Sequence, residues 1–200
     1  MLSPYQLCGF EQNYFEISSN FELADELELF FKDPANHYLW NINTGRQRIT
    51  HALRHTESVS LRMPVVTTAL KTTTEWNQVT EISNTPLLDI PIFKKTKTWL
   101  DAALQAAGST STEYGRIFFS KLHANANVDT HTDEGKYFSY YDRFHFVIDQ
   151  TDGENVFHIR NEDVLLEKGK LYWVNNHVPH WLVNRSNSDR TNLIFDARLI

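Results

Sequence analysis

Two histidines and one aspartate offer this chain its most specific chemistry: His131 and Asp133 flank Thr132, and His180 follows from a distant segment. On an extended segment, side chains at i and i+2 point to one side, so His131 and Asp133 can chelate one ion while Thr132 faces elsewhere. Two imidazoles and one carboxylate on one face of a metal leave its other positions open. Ferrous iron that must hold an oxidant while it activates dioxygen needs that arrangement. A His-x-Asp pair alone is a weak signal among nine histidines, and its companions decide its meaning. Arg190 stands ten residues after His180, in the polar turn 184–190 that leads into the apolar run 191–199. A guanidinium at the start of such a strand grips a carboxylate bidentately, which lysine does not match. The fitting carboxylate is the distal end of 2-oxoglutarate, whose 2-oxo acid end chelates iron through the open positions. By itself Arg190 also reads as a surface arginine at a strand start; its place after His180 favours the clamp.

The run Arg143-Phe144-His145-Phe146-Val147-Ile148 alternates, so Arg143 and His145 share one face while Phe144, Phe146 and Ile148 share the other. This predicts a strand with one polar and one buried face. Two donor side chains on a half-buried strand are costly without an acceptor, and a bound dicarboxylate supplies one. The alternative is a solvent-facing strand edge. His177 competes with His180 in His177-Val178-Pro179-His180. His180 is preferred because a strand begins there, whereas His177 falls in the turn that Pro179 enforces.

The stretch from about Gly115 to Leu199 resembles the catalytic domain of the aspartyl/asparaginyl β-hydroxylase family of iron(II)- and 2-oxoglutarate-dependent oxygenases. The matching segments are Ile117-Phe118-Phe119-Ser120-Lys121-Leu122-His123, His131-Thr132-Asp133, Arg143-Phe144-His145, and His180-Trp181-Leu182-Val183-Asn184 followed by Arg190. Several matches in the right order are far more specific than any one. The resemblance implies iron on His131 and His180, with Arg190 and Ser120 on the distal carboxylate of 2-oxoglutarate. It places Arg143 and His145 at the other carboxylate. One departure matters: the founding animal enzymes have glycine where this chain has Asp133, so here a full metal triad of His131, Asp133 and His180 is available. The implied reaction consumes dioxygen and 2-oxoglutarate, releases succinate and carbon dioxide, and hydroxylates an amino acid, free or as an Asp, Asn or Pro residue. The short chain carries no peptide-binding repeat, which tilts the expectation toward a small substrate.

These residues need a scaffold, and 200 residues suit a single one, expected here as one oxygenase domain over 1–200. A helix-rich lead-in over 1–112 contains an amphipathic helix from Asn20 to Phe31, capped by Asn20 or Ser19 and followed by Pro34. A second helix runs from about Ile92 to Ala107 after Pro91, stopped by Gly108. From about Glu113 the chain turns to short aromatic and β-branched runs over 116–122, 143–150, 155–160, 170–174, 181–184 and 192–199, separated by turn residues. This predicts a mainly β fold with flanking helices, a double-stranded β-helix or cupin-like jelly-roll over 113–200. The apolar fraction of 41% excludes a disordered chain. A net charge of −6 without a basic run makes nucleic acid an unlikely partner. No apolar run approaches a membrane span, the amino terminus lacks a secretory pattern, and the lone Cys8 makes no internal disulfide, so a cytoplasmic protein is expected. Oligomeric state is not legible.

Thr56 to Met63 alternates as an outer strand near the mouth of the site, with Arg54, His55 or Arg62 as substrate contacts if they are not structural. Tyr137, Phe138, Tyr140 and Tyr141 form an aromatic loop that either lids the substrate or caps the core. Two other classes compete with the oxygenase: a metal-binding jelly-roll sensor or binding module without activity, and a cupin isomerase. A bare metal site has no use for Ser120, Arg143, His145 and Arg190. The close His-x-His and nearby glutamate typical of the isomerases are absent around His131.

Overall fold

Short β-branched and aromatic runs separated by turns build two antiparallel sheets, and the helices of the first half cover one of them. The computed structural model describes residues 11–42, 45, 48, 50–66 and 71–200; Cys8 and the amino-terminal stretch lie outside them. Among these residues the strands are β1 (Tyr14–Ser19), β2 (Thr56–Pro64), β3 (Ile82–Asn84), β4 (Thr112–Leu122), β5 (Asn127–His131), β6 (Asp142–Asp149), β7 (Asn155–Ile159), β8 (Glu162–Val164), β9 (Lys170–Val174), β10 (His180–Asn184) and β11 (Arg190–Leu199). The major sheet runs β1-β9-β6-β11-β4-β2-β3 and the minor sheet β5-β10-β7-β8. Two antiparallel sheets with crossovers between them give the mainly β jelly-roll expected from the sequence.

The helices are α1 (Phe21–Lys32), α2 (Thr73–Gln78) and α3 (Pro91–Ala106), with short 3₁₀ turns over Pro34–Asn41 and His51–Leu53. Asn20 caps α1 by accepting the Leu23 amide through its side chain at 3.0 Å. The helices α1 and α3 lay Leu23, Leu27, Phe31, Phe93 and Leu100 against Phe119, Phe144, Phe146 and Phe195 on one face of the major sheet. Each such side chain contributes about 1.5–3 kcal/mol by leaving water. The opposite face of the same sheet meets the minor sheet through Leu122, Val147, Tyr172, Phe157 and Leu182. Strand β6 therefore sits between two layers and is buried on both faces from Asp142 to Ile148. Arg143 and His145 share a face opposite Phe144 and Phe146, as the alternation predicts, and that face is interior, which rules out the alternative of a solvent-facing strand edge. A second sheet, which local alternation cannot reveal, covers it.

Gly115 marks a close approach. A Cβ there would lie 2.3 Å from the Tyr137 hydroxyl, so the aromatic loop can rest on β4 only because that side chain is missing.

Candidate active site

Strands β5 and β10 pair antiparallel with His131 directly opposite His180, which brings two residues far apart in sequence to ring centroids 4.3 Å apart. Both imidazoles are held in the same way. His131 Nδ1 donates to the Asp129 carbonyl at 2.8 Å, and His180 Nδ1 donates to the Val178 carbonyl at 2.9 Å. With Nδ1 carrying the proton, each Nε2 keeps its lone pair for a metal, the usual preparation of a histidine ligand. Burial pulls the His180 imidazole down to about 4, so it is neutral at physiological pH. Asp133 follows β5 and is pinned by its amide to the Asn176 carbonyl at 2.9 Å. Its Oδ2 accepts from Arg143 Nη1 and from Asn176 Nδ2, the latter at 3.1 Å. Burial pushes the Asp133 carboxyl up, but Arg143, His180 and His131 outweigh it and hold the group well below the usual carboxylate range. Among the described residues no three histidine, cysteine or acidic side chains yet enclose one ion position. The donor set nonetheless fits ferrous iron: two imidazoles whose Nδ1 atoms are taken by backbone carbonyls, and an ionised carboxylate whose protein contacts both fall on Oδ2.

Behind the histidines a narrow cavity between the sheets is lined by Ser120, Arg143, His145, Arg190, Asn192 and Thr56, together with His131 and His180. Arg190, the first residue of β11, is 4% exposed. Its Nε donates to Gln150 Oε1 at 3.1 Å, and no carboxylate among the described residues pairs with it. Burial alone pulls it down to about 9, so it remains a cation at neutral pH. A buried, unpaired cation calls for an anion. His145 is neutral, its imidazole pushed well below its ordinary range by burial and then by Arg143 and Arg190. The carboxamide oxygen of Asn192, beside His145, has no hydrogen-bond partner. Arg143 differs from Arg190. It has carboxylates of its own, with Nε donating to Asp196 Oδ1 at 2.8 Å and Nη2 to Asp196 Oδ2 at 3.1 Å. The sequence argument that Arg143 must borrow an external dicarboxylate is therefore not needed to account for its burial.

On the other side of His131 lies a wider cleft of about 430 Å³, walled by Ser58, Ser60, Arg62, Trp76, Arg116, Phe138 and Asp133. His131 and Arg143 line both spaces, so the candidate metal ligands stand at the partition. Arg62 reaches this cleft, as one of the expected substrate contacts; Arg54 instead pairs with Asp129 at 2.6 Å, beside His55. Tyr137, Phe138 and Tyr141 pack as a buried cluster, with Tyr137 Oη donating to Asp196 at 2.9 Å. Of the two readings for the aromatic loop, that packing is a cap's. His177 sits in the turn before Pro179, its amide donating to the Asn175 side chain at 3.2 Å.

Sequence reasoning passed over Asp196, Asn192, Gln150, Asn176 and Arg116. Asp196 and Arg116 could have been noticed, since each is a charge directly beside an apolar run, Leu193–Phe195 and Ile117–Phe119. Gln150 and Asn176 lie at strand ends where polar residues are ordinary.

Comparison with known proteins agrees with this architecture. The structure resembles a Pseudomonas putida prolyl-4-hydroxylase at a TM-score of 0.55, with 11% identity over 95% of this chain and 94% of that one. A viral collagen prolyl hydroxylase from Paramecium Bursaria Chlorella virus-1, solved as a 2-oxoglutarate complex, aligns at 0.53 with 11% identity, over 95% of this chain and 97% of that chain. A 2-oxoglutarate-Fe(II) oxygenase family oxidoreductase from Burkholderia pseudomallei aligns at 0.51 with 11% identity, over 72% and 67%. At such identities these likenesses speak for the fold. No curated protein matches by sequence. The model of the Aspartyl/Asparaginyl beta-hydroxylase family matches residues 90–198, more than half of the chain and all of the paired-histidine site, so this chain belongs to the aspartyl/asparaginyl β-hydroxylase family and is an oxygenase of the hydroxylase type.

Proposed function

We propose that His131, Asp133 and His180 hold ferrous iron, that Arg190 and Ser120 hold the distal carboxylate of 2-oxoglutarate, and that the enzyme hydroxylates a small amino-acid substrate in the outer cleft. The observation that carries this reading is Arg190, a buried guanidinium without an acidic partner at the end of a cavity that leads to two prepared imidazoles. When bound, iron and 2-oxoglutarate with dioxygen supply the oxidation of a substrate C–H bond. The chain supplies the rest. Carbonyls of Asp129 and Val178 fix both histidine rings, and Asn176 holds Asp133 in place. Gln150 aims Arg190. His145 and Arg143 line the inner cavity and would hold the near carboxylate of 2-oxoglutarate, while Asp133 would offer Oδ1 to the metal with Oδ2 on Arg143 and Asn176. Apolar walls from Leu122, Val128 and Phe157 keep water from this inner space.

The cleft volume of about 430 Å³ suits a free amino acid or one residue of a peptide rather than a large ligand. No helix among the described residues is long and apolar enough to cross a membrane; a cytoplasmic setting is proposed from the single cysteine. The test is thermal unfolding of the metal-loaded protein with and without 2-oxoglutarate, followed by succinate release over a panel of amino acids and short peptides. Saturating 2-oxoglutarate at a hundredfold excess over its Kd adds about 2.7 kcal/mol of stability. No stabilisation, or stabilisation that Arg190→Met leaves intact, defeats the assignment.

A further inference from the structure

Arg116 walls the outer cleft without a role in the site described so far, and among the described residues it is, after Arg190, a second buried guanidinium that forms no ion pair with a carboxylate. It projects from β4 into the outer cleft, is 5% exposed, and forms no ion pair among the described residues. Nη2 donates to the Trp76 carbonyl at 2.8 Å, Nη1 reaches Asn77 Oδ1 only at 3.4 Å, and Nε has no partner. The Tyr137 ring lies 3.8 Å from its central carbon, with Trp76 and Phe138 each at 5.4 Å. Aromatic faces stabilise a cation, but they also strip it of water, and they accept no N–H bond in the guanidinium plane. Burial disfavours its charged form; Asp196 and Asp133 favour it through space, but neither carboxylate forms an ion pair with it.

The rest of the cleft has the same polarity. Arg62 lines it too, with its donors on the carbonyls of Gly115 and Tyr114 and on Asn84, none of them anionic. Among the described residues the one acidic side chain in the lining is Asp133, already committed to Arg143 and to the candidate metal. A cleft that is cationic in a chain of net charge −6 is not a by-product of composition.

We propose that Arg116 is the specificity residue of the outer cleft and binds a carboxylate of the substrate. This rests on the oxygenase reading for what happens next to the substrate, since Arg116, His131 and Asp133 line one continuous space. A carboxylate suits the planar fork of arginine and the small cleft better than a phosphate diester or a bare amide does. Held there, the substrate is anchored at one end and presents its carbon chain toward the partition where His131 and Asp133 stand. Phe138, whose ring lies 4.8 Å from Arg143 and 5.4 Å from Arg116, separates this carboxylate site from the inner cavity.

The test is calorimetric titration of the manganese-loaded protein, with and without 2-oxoglutarate. The probes are the free L-amino acids, the N-acetyl amides of aspartate and glutamate, and the fully amidated counterpart of each. At least one carboxylate probe should bind, its amidated counterpart should bind at least tenfold more weakly, and Arg116→Gln should lose that preference. Glutamine keeps a donor for the Trp76 carbonyl while removing the charge, so a role confined to holding α2 would survive the change. Arg116→Lys, which keeps charge but not the fork, should fall between. Binding that ignores the carboxylate, binding unaltered in Arg116→Gln, or no binding of any probe overturns the proposal. Failure of 2-oxoglutarate itself to bind wild-type protein would count against the oxygenase reading instead, and the titrations without it still decide Arg116.

Discussion

Replacing Arg190 with methionine should move stability and ligand affinity in opposite directions. The side chain is buried, and among the described residues its one side-chain hydrogen bond runs from Nε to Gln150 Oε1 at 3.1 Å. Its fall from the ordinary arginine range to about 9 corresponds to a penalty on the charged form of at most about 5 kcal/mol. Methionine removes that penalty at similar length and forfeits a hydrogen bond worth about 1 kcal/mol. The ligand-free variant should therefore unfold with a free energy roughly 1–4 kcal/mol higher than wild type, read by urea denaturation of metal-free protein. A carboxylate that pairs with Arg190 recovers much of the same penalty, so the variant should bind 2-oxoglutarate more weakly by roughly 2–4 kcal/mol, about 30- to 1000-fold. Calorimetric titration of manganese-loaded protein measures this, and manganese affinity in the absence of 2-oxoglutarate should stay within about twofold. A variant that is less stable than wild type and still binds 2-oxoglutarate normally would refute the reasoning, because Arg190 would then be a satisfied structural cation.

Three further outcomes follow from the same geometry. His180→Ala should abolish activity and weaken metal binding, whereas His177→Ala, in the adjoining turn, should retain the metal; the opposite pattern in equilibrium dialysis would reassign the ligand. Asp133→Gly should loosen the metal and slow succinate formation, and it should also cost the metal-free protein about 3 kcal/mol in urea, since the buried Arg143 loses one of its two carboxylates. Metal affinity equal to wild type would remove Asp133 from the ligand set. Gly115→Ala should lower stability by about 1–3 kcal/mol by displacing Tyr137 from Asp196 and from the Arg116 amide, and a melting temperature unchanged from wild type would show that the loop yields freely.

What the sequence disclosed and what it concealed divide along the range of the interactions involved. Direction is local: alternation in 143–148 put Arg143 and His145 on one face, and the structure keeps them there. Capping and periodicity likewise placed α1 and α3 within a residue or two of their observed ends. Partnership is not local. That His131 lies opposite His180 depends on the register of β5 against β10, and that Asp196 meets Arg143 depends on the pairing of β11 with β6. No short-range pattern encodes either. The same limit left a solvent-facing edge open as the alternative for β6, since only a second sheet buries that face. Yet the sequence did carry a trace of the missed groups. Arg116 and Asp196 stand directly beside the apolar runs Ile117–Phe119 and Leu193–Phe195. A charge placed where burial penalises it persists only with a partner or a ligand to offset the cost. Asp196 and Asp133 bond Arg143, while Arg190 and Arg116 form no ion pair among the described residues, one on each side of the paired histidines. Two unanswered cations flanking a candidate metal position match the two anionic ligands proposed here, a cosubstrate on one side and a substrate on the other.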